Sequence, residues 1–344
     1  MHEFAGLGAC DACGRADDGE HEFDIGIANA FEQDGMADHA RGAEDEGFHQ
    51  ALPGCGYTGL KRSGGAGKRE WNGLMAGGLS CVQMRKTLSI AMIAMNEQAN
   101  LPRTLESVKW ADEIVVVDSG SKDRTLEIAR SFGARTSYHS FGGHGEQKNV
   151  ALGLCTMDWI LLLDADEVLT PELQEEIRRT LAGEPRFGAY WIPRLNLIMG
   201  RWMRHGGFYP DRKLRLFRRG SARLSEGVGP HSTPQFEGQK GRLKHDMLHY
   251  AYPDMAAYLE HMNRYSSEIA QLLAAKGRTS RSLPEFLWNA VLNPWATFVY
   301  NYFFRLGFLD GREGLLLHLN HSVYIHWKFV KAWWMGKKNA ASGS

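Results

Sequence analysis

The sequence predicts an α/β fold: a mostly parallel central sheet with helices on both faces, its ligand at the carboxyl ends of the strands, and a helical extension behind it. Three observations carry this. Trp159-Ile-Leu-Leu-Leu163 is an apolar run of strand length that ends in Asp164-Ala165-Asp166-Glu167. Leu88–Met95 and Glu113–Val117 end in the same way, in Asn96-Glu97 and in Asp118. Helical patterns separate the three runs. Apolar runs of this kind fit strands buried on both faces. Strand–helix alternation argues for a parallel sheet, and open sheets bind ligands where their strands end.

Residues 1–84 stand apart. They hold 17 of the 39 glycines and carry 6 Lys/Arg against 14 Asp/Glu, leaving 34 and 26 for the rest. The neutral total therefore hides a basic body, whose charge suits an anionic partner such as phosphate groups or a membrane surface. With little apolar periodicity and no secretory pattern, this segment reads as disordered, or as sequence preceding a true start at Met84. Four of the five cysteines fall in it and only Cys155 lies in the body, which is no disulfide framework and fits a reducing compartment. Cys10-x-x-Cys13 has no matching second pair, so a surface thiol pair is favoured over a metal site.

The first strand is predicted over Leu88–Met95. A helix follows over about 101–110, with Pro102 in its first turn and Leu101, Leu105 and Val108 on one face. The strand Glu113–Asp118 turns at Ser119-Gly120-Ser121, and Asp123 is placed to cap a helix reaching about Phe132. A short strand spans Ala134–His139. Gly142-Gly143-His144-Gly145 reads as a flexible loop before a helix from about Glu146 to Leu154. After the Trp159–Leu163 strand, Thr170-Pro171-Glu172 opens a helix to about Leu181. Strands are predicted at Gly188–Pro193 and Lys213–Arg218, flanking a loop rich in Arg, His and aromatics. From Met255 onward the chain reads as helical. The organisation is thus 1–84, a sheet domain over 85–252, helices over 253–336 and a tail over 337–344.

Asp164 and Asp166, spaced i, i+2 on a turning backbone, can both reach one divalent cation, and hard oxygen ligands suit Mg²⁺ or Mn²⁺ bridging to phosphates. An acidic turn that merely caps the next helix is the competing reading. Lys148 and the glycine-rich loop lie between the second and third strand ends, an arrangement that suits a nucleotide diphosphate.

Met92-Ile-Ala-Met-Asn-Glu97, Val117-Asp-Ser-Gly-Ser-Lys-Asp-Arg-Thr125 and Leu163-Asp-Ala-Asp-Glu167 resemble, in order, the motifs of glycosyltransferase family 2. The likeness runs from about Leu88 to Tyr252 and implies the GT-A fold and transfer with inversion at the anomeric carbon. The run from His205 to Arg219, with Leu248-His-Tyr250, is similar to the subgroup acting on lipopolysaccharide core, including inner-core β-1,4-glucosyltransferases. The resemblance implies a UDP-sugar donor, glucose its sugar, and a lipid-linked glycan acceptor. It places Asn96, Glu97, Asp118 and Gly120 in the nucleotide pocket and makes Asp164 and Asp166 the metal pair, with Asp166 the direct ligand. It sets Gln147, Lys148 and Asn149 at a donor-side helix start. Glu97 and Asp123 read equally well as helix caps.

An inverting enzyme needs a carboxylate to take the acceptor proton. Related sequences carry His-Glu where this chain has His231-Ser232, and serine is a poor base. Glu226 and Asp211 are the nearest acids. Pairing of Asp211 with arginines would weaken it as a base, so Glu226 is preferred. His249 is a candidate metal or pyrophosphate contact against a packed histidine. Arg212, Arg215, Arg218 and Arg219 are candidates for phosphate, with alternation placing Arg215 and Arg219 on one face.

Other classes are weighed on the same residues. A dinucleotide oxidoreductase would need Gly-x-Gly-x-x-Gly after the first strand; a nucleotidyltransferase would need a basic glycine-rich loop there; neither is present, and nothing points to nucleic acid. A non-catalytic sugar-nucleotide or lipid-glycan binding protein of the same fold stays open because of Ser232. Phe286–Phe304 is uncharged and long enough for a bilayer, but three asparagines and Pro294 make it a poor span. Trp288, Trp295, Trp327, Trp333 and Trp334 recur beside Lys328, Lys331, Lys337 and Lys338, which suits the headgroup layer. The expectation is a cytoplasmic, peripheral protein on the inner face of the plasma membrane.

Deleting residues 1–83 is expected to leave the melting temperature and the activity nearly unchanged. A large fall in melting temperature on truncation would show that the segment packs on the body.

Overall fold

The computed structural model describes residues 85–225, 233–252 and 254–342. The expectations for residues 1–84, and those for Glu226, His231 and Ser232, fall outside the described residues.

β1 (Leu88–Ala94) lies between β2 (Glu113–Asp118) and β4 (Trp159–Asp164), both parallel to it, and β3 (Arg135–Tyr138) adds parallel to β2. Alternate side chains enter opposite cores. Ile90, Met92, Leu161 and Leu163 pack with Leu101 and Leu105 of α1 (Leu101–Val108) and with Leu173 and Ile177 of α4 (Pro171–Leu181). Ala91, Ile160 and Leu162 pack with Ala151 and Leu152 of α3 (His144–Leu154) on the other face. α2 (Thr125–Ser131) joins β2 to β3. The apolar runs are therefore strands buried on both sides, as the sequence requires.

α3 begins at His144, two residues before the expected start. Its first turn recruits the glycines because Gly143, just ahead of it, sits at φ 144°, a conformation that only glycine adopts freely.

Beyond β4 the sheet becomes mixed. β8 (Asp211–Arg218) is antiparallel to both β4 and β6 (Ala189–Ile198), so both strands are longer than predicted and neither is an edge. β12 (Met247–Tyr252) pairs parallel with β6 and antiparallel with β5 (Glu167–Leu169). β7 (Arg201–Met203) and β11 (Lys240–Arg242) pair with β6, and β9 (Ala222–Leu224) with β10 (Pro234–Phe236) forms a separate ribbon. β5 leaves β4 after a tight turn at Ala165-Asp166, yet ends the strand path at its far side. The sheet must curl to allow this, which brings the acidic turn against β12.

The helical part comprises α5 (Met255–Ala275), α6 (Leu283–Leu287), α7 (Asn293–Val299) and α8 (Gly311–Ser342). Ile269, Ala270 and Leu273 of α5 pack on Ala332 of α8, and Tyr258 and Leu317 pack on Ile198 and Met203 of the sheet. Asp310, itself buried, accepts the backbone N–H groups of Arg204 (3.1 Å) and His205 (2.8 Å) and so pins the 204–205 loop to the helices.

The run from Phe286 to Phe304 is helical but not regular, with wide π-type turns at Trp288–Leu292 and Tyr300–Phe304. Pro294 lacks an N–H, so the carbonyl four residues back, on Ala290, loses its helical donor. His326 Nδ1 of α8 donates to it at 2.6 Å, and Ser322 donates to the Pro294 carbonyl at 2.8 Å. Asn293, Thr297 and Asn301 are buried, whereas Trp288, Trp295, Phe303 and Phe304 are exposed. No helix among the described residues is long and apolar enough to cross a membrane.

Candidate active site

Strand register assembles the site. Ala94 lies beside Asp118 and Ile93 beside Asp164, so the carboxyl ends of β1, β2 and β4 meet at one edge. The loops that follow β1 and β2 are tied to one another. Asn96 holds a left-handed backbone (φ 58°), which asparagine tolerates better than most residues. Its side-chain oxygen accepts the Lys122 N–H (2.9 Å), and its own N–H donates to Ser121 Oγ (2.9 Å).

Asp118 is buried and turned into its own loop. It accepts the N–H groups of Gly120 (2.8 Å) and Ser121 (2.9 Å) and a short hydrogen bond from the Ser121 hydroxyl. Asp118 thus shapes the Ser119–Ser121 wall, with Gly120 at φ 103° as the turn demands. Glu97 accepts from the Asn100 amide (2.9 Å). Burial raises its carboxyl above the ordinary range, and the negative charges of Asp166, Asp123 and Asp164 add to this. Asp123 accepts the N–H groups of Thr125 (3.0 Å) and Gln98 (3.1 Å), a cap that also ties two loops.

Asp164 is held by two cations: Lys148 Nζ lies 2.7 Å from Oδ1, and Arg215 donates to Oδ2 at 2.6 Å. Burial alone would raise its carboxyl, but Arg215 and Lys148 hold it well below the aspartate range. Arg215 also donates to Glu167 (2.7 Å), Glu167 accepts from Arg194 (3.0 Å), and Arg194 donates to Asp211 at 2.6 and 2.9 Å. Lys213 closes the chain on Asp211 (2.9 Å). Burial opposes ionisation of Asp211, yet Arg194 and Lys213 depress its pKa strongly. This is the pairing that makes Asp211 a weak base.

Asp166 has different company. Its Oδ2 lies 3.2 Å from His249 Nε2, and His249 Nδ1 lies 2.7 Å from Asn196 Oδ1. His249 stands beside Asn196 of β6 and Glu167 of β5 in register, and the Tyr250 N–H donates to the Asp166 carbonyl (3.1 Å).

Gln147 and Asn149 are structural. Gln147 is buried and donates to Ser119 Oγ and the His139 carbonyl, both at 2.9 Å, and Asn149 brackets the Leu224 backbone with bonds of 2.8 and 2.9 Å. α5 closes one side: burial lowers the His144 pKa, and Lys148, Arg264 and Glu268 all act on that ring.

The arginine expectation fails in part. Going along β8 from Leu214 to Leu216 matches only one step on β6, from Trp191 to Tyr190, so Arg215 is the extra residue of a bulge. Bulges re-aim side chains, and this one turns Arg215 inward, buried, rather than onto a face shared with Arg219. Arg218 stands beside Trp159 and Arg219 donates to the Met157 carbonyl (2.9 Å), both at the opposite edge of the sheet from the acids.

Among known proteins, residues 89–258 match the sequence profile of Glycosyl transferase family 2. An uncharacterised glycosyltransferase of Rickettsia typhi is 31% identical over 246 residues, 67% of this chain and 81% of the relative. The lipopolysaccharide core biosynthesis glycosyltransferase LpsC of Rhizobium meliloti is 28% identical over 243 residues, 69% of this chain and 88% of the relative. The mannosyltransferase PcManGT from Pyrobaculum calidifontis, solved with GDP-Man and Mn²⁺, superposes with a TM-score of 0.44 at 16% identity, over 73% of this chain and 88% of that one. The chain belongs to glycosyltransferase family 2. It is a glycosyltransferase of the GT-A type, as the motifs at 92–97, 117–125 and 163–167 imply.

Glu167→Ala should cost about 3 kcal/mol in chemical denaturation, the low end for breaking a buried ion pair, because each arginine keeps a second acid. Asp164 and Asp211 have depressed pKa values, so their stabilisation is complete above the ordinary aspartate value of 3.8 and is lost as pH falls through their folded values. Unfolding free energy should drop steeply below that pH in the wild type and less steeply in Asp211→Asn, which removes one of the two depressed carboxyls.

Proposed function

We propose that this enzyme transfers glucose from a UDP-sugar, with inversion, onto a lipopolysaccharide core or related cell-envelope glycan. The observation that carries this reading is the convergence of the β1, β2 and β4 ends on one edge, with Lys148 against Asp164 and with Asp166 outside that ion pair. The relative LpsC, by its name, acts in lipopolysaccharide core biosynthesis, and the likeness supports the choice of acceptor.

In this reading the Ser119–Ser121 turn and the Asn96 loop form the wall for the nucleoside, and Lys148 holds positive charge near the leaving diphosphate. A bound Mg²⁺ or Mn²⁺ would stabilise the diphosphate as it leaves. The oxygen chemistry of the Asp164/Asp166 pair fits such an ion, and Asp166 has the freer oxygens, since Asp164 already meets two cations.

Glu226 is the proposed base. It follows Leu224 by two residues, and Leu224 is clamped to Asn149, the neighbour of Lys148. Asp211, saturated by Arg194 and Lys213, is the weaker candidate. Glu226→Gln should lower kcat by about 10²–10⁴-fold and leave donor affinity within a few fold. An unchanged kcat in this variant would move the base elsewhere.

The helical part supports docking on the inner face of the membrane. Trp288, Trp295, Phe303 and Phe304 project outward beside a shallow apolar groove lined by Val291, Pro294, Phe298 and Leu319. Lys337 and Lys338 are exposed and lie over Trp333 and Trp334 at 4.8 and 5.9 Å. Lys328 and Lys331 do not join them. Burial pushes Lys328 down to about 8, and Lys331 reaches Ser266 (2.7 Å) and Ser267 (2.9 Å) on α5. The full chain should float with vesicles containing anionic lipid, and Trp295→Glu with Phe304→Glu should return it to the soluble fraction. Wild-type protein that stays soluble at low salt would end the membrane reading.

A further inference from the structure

The strand order gives the proposed site a direction. Asp118 and the Ser119–Ser121 turn, the proposed wall for the nucleoside, stand at the end of β2. Lys148 meets Asp164 at the end of β4, and β6 and β12 lie farther along the same path. A nucleotide-sugar laid from β2 to β4 therefore points its sugar toward β6 and β12. Inversion requires the acceptor oxygen to reach the anomeric carbon from the side opposite the leaving group. The acceptor thus belongs on the flank away from Lys148, beyond the acidic turn.

Three side chains meet on that flank. Tyr250 falls in the step where β12 shifts register against β6, and its N–H holds the Asp166 carbonyl (3.1 Å). The guanidinium of Arg103, on α1, lies over the Tyr250 ring, 3.8 Å from its centroid. The Trp202 indole, on β7, meets the same ring edge to face at 5.6 Å. α1 is fastened to the acidic turn, because the Thr104 hydroxyl donates to the Ala165 carbonyl (2.7 Å). The cluster and Asp166 are therefore held in one frame.

Unused bonding capacity sets these groups apart. Arg103 is exposed and donates to the Asn100 side chain, but it meets no carboxylate among the described residues. The Trp202 indole N–H and the Tyr250 hydroxyl, on half-buried side chains, have no hydrogen-bond partner among the described residues. A second arginine–aromatic pair is different. Arg178 lies 4.4 Å from the Trp110 ring, yet that indole N–H donates to the Ser107 carbonyl (3.1 Å), and Arg178 has Glu175 at 3.9 Å. Ligand sites combine an aromatic surface with a few convergent polar groups. A guanidinium stacked on an aromatic face keeps its edge N–H groups for a carboxylate or a phosphate.

We propose that Arg103, Tyr250 and Trp202 form the acceptor subsite and that it takes a sugar bearing an acidic group. Trp202 and Tyr250 pack on the sugar ring and bind its hydroxyls, and Arg103 pairs with the carboxylate or phosphate. This rests on the glycosyl transfer proposed above and names the chemical class of its acceptor.

The test uses the full chain saturated with UDP, so that the diphosphate site is filled. Binding of glucuronate, glucose 6-phosphate, glucose and inorganic phosphate is followed by NMR titration. The wild type should bind at least one acidic sugar about tenfold more tightly than glucose, the lower end of what a charged hydrogen bond contributes. The acidic sugar that binds more tightly tells carboxylate from phosphate. Arg103→Gln should remove the preference and leave glucose binding unchanged. Trp202→Ala should weaken all three sugars. UDP affinity and melting temperature should match the wild type in both variants, and Arg103, being exposed, can be changed without disturbing the core even where Trp202→Ala unfolds. Three results would overturn the subsite and leave the transfer reading intact: acidic sugars bound no better than glucose, a preference that survives Arg103→Gln, or inorganic phosphate bound as tightly as the acidic sugars. A wild type that binds no UDP would overturn both.

Discussion

The carboxylate of Glu167 is the constraint on which the site depends. It is fully buried and accepts from Arg194 and Arg215 together, and its other oxygen takes the Asp164 N–H at 3.0 Å. An ion in that position is tolerable only when its partners are fixed around it. Those partners come from β6 and β8, so the first half of the sheet can place its acids only if the second half folds against it. One carboxylate thereby couples the strands whose ends form the proposed nucleotide site to the strands that carry Asp211, Lys213 and His249.

The helical layer inverts the usual arrangement of a surface helix. Between Phe286 and Phe304 the polar Asn293, Thr297 and Asn301 point inward, and Trp288, Trp295, Phe303 and Phe304 point out. Pro294 explains part of this. A proline inside a helix frees a carbonyl, and freed backbone groups need donors. His326 on α8 provides one for the Ala290 carbonyl and Ser322 adds a bond to the Pro294 carbonyl, which sets the polar face toward α8 and leaves the apolar face without a cover among the described residues. Scattered exposed apolar residues are ordinary, but a contiguous stripe that includes Trp288 and Trp295 marks a surface made to meet something apolar.

Much of this was legible in the sequence because it follows from local pattern. Apolar runs ending in acids gave β1, β2 and β4, and with them the convergence of Asn96, Asp118 and Asp164. The helix over Pro171–Leu181 was readable from Thr170-Pro171, and its cap is present as a bond from the Leu173 N–H. The errors came from geometry that pattern does not encode. Strict alternation put Arg215 on one face with Arg219, and a single bulge turned it into the buried ion pairs instead. Glu167 stood within the recognised motif but gave no sign that it would be the buried hub, because its partners Arg194 and Arg215 are distant in sequence. The Asn196–His249 contact depends on the register of two parallel strands more than fifty residues apart. No local signal could have found it.

The two aspartates of the motif end up with opposite electrostatic tasks. Along the chain of ion pairs, Lys148, Arg215, Arg194 and Lys213 face Asp164, Glu167 and Asp211, so the fixed charges leave one positive charge in excess. Lys148 and Arg215 flank Asp164, where the proposed leaving diphosphate gathers negative charge, and they are preorganised, so they cost no reorganisation during transfer. Asp166 lies outside this chain, with its Oδ2 against His249. Removing Asp164 would disturb the fixed field, whereas removing Asp166 would take away the proposed metal ligand and leave the field in place. The spacing of two acids across one small residue therefore does not give two equivalent ligands: the curled sheet turns one toward its cations and the other toward the open edge.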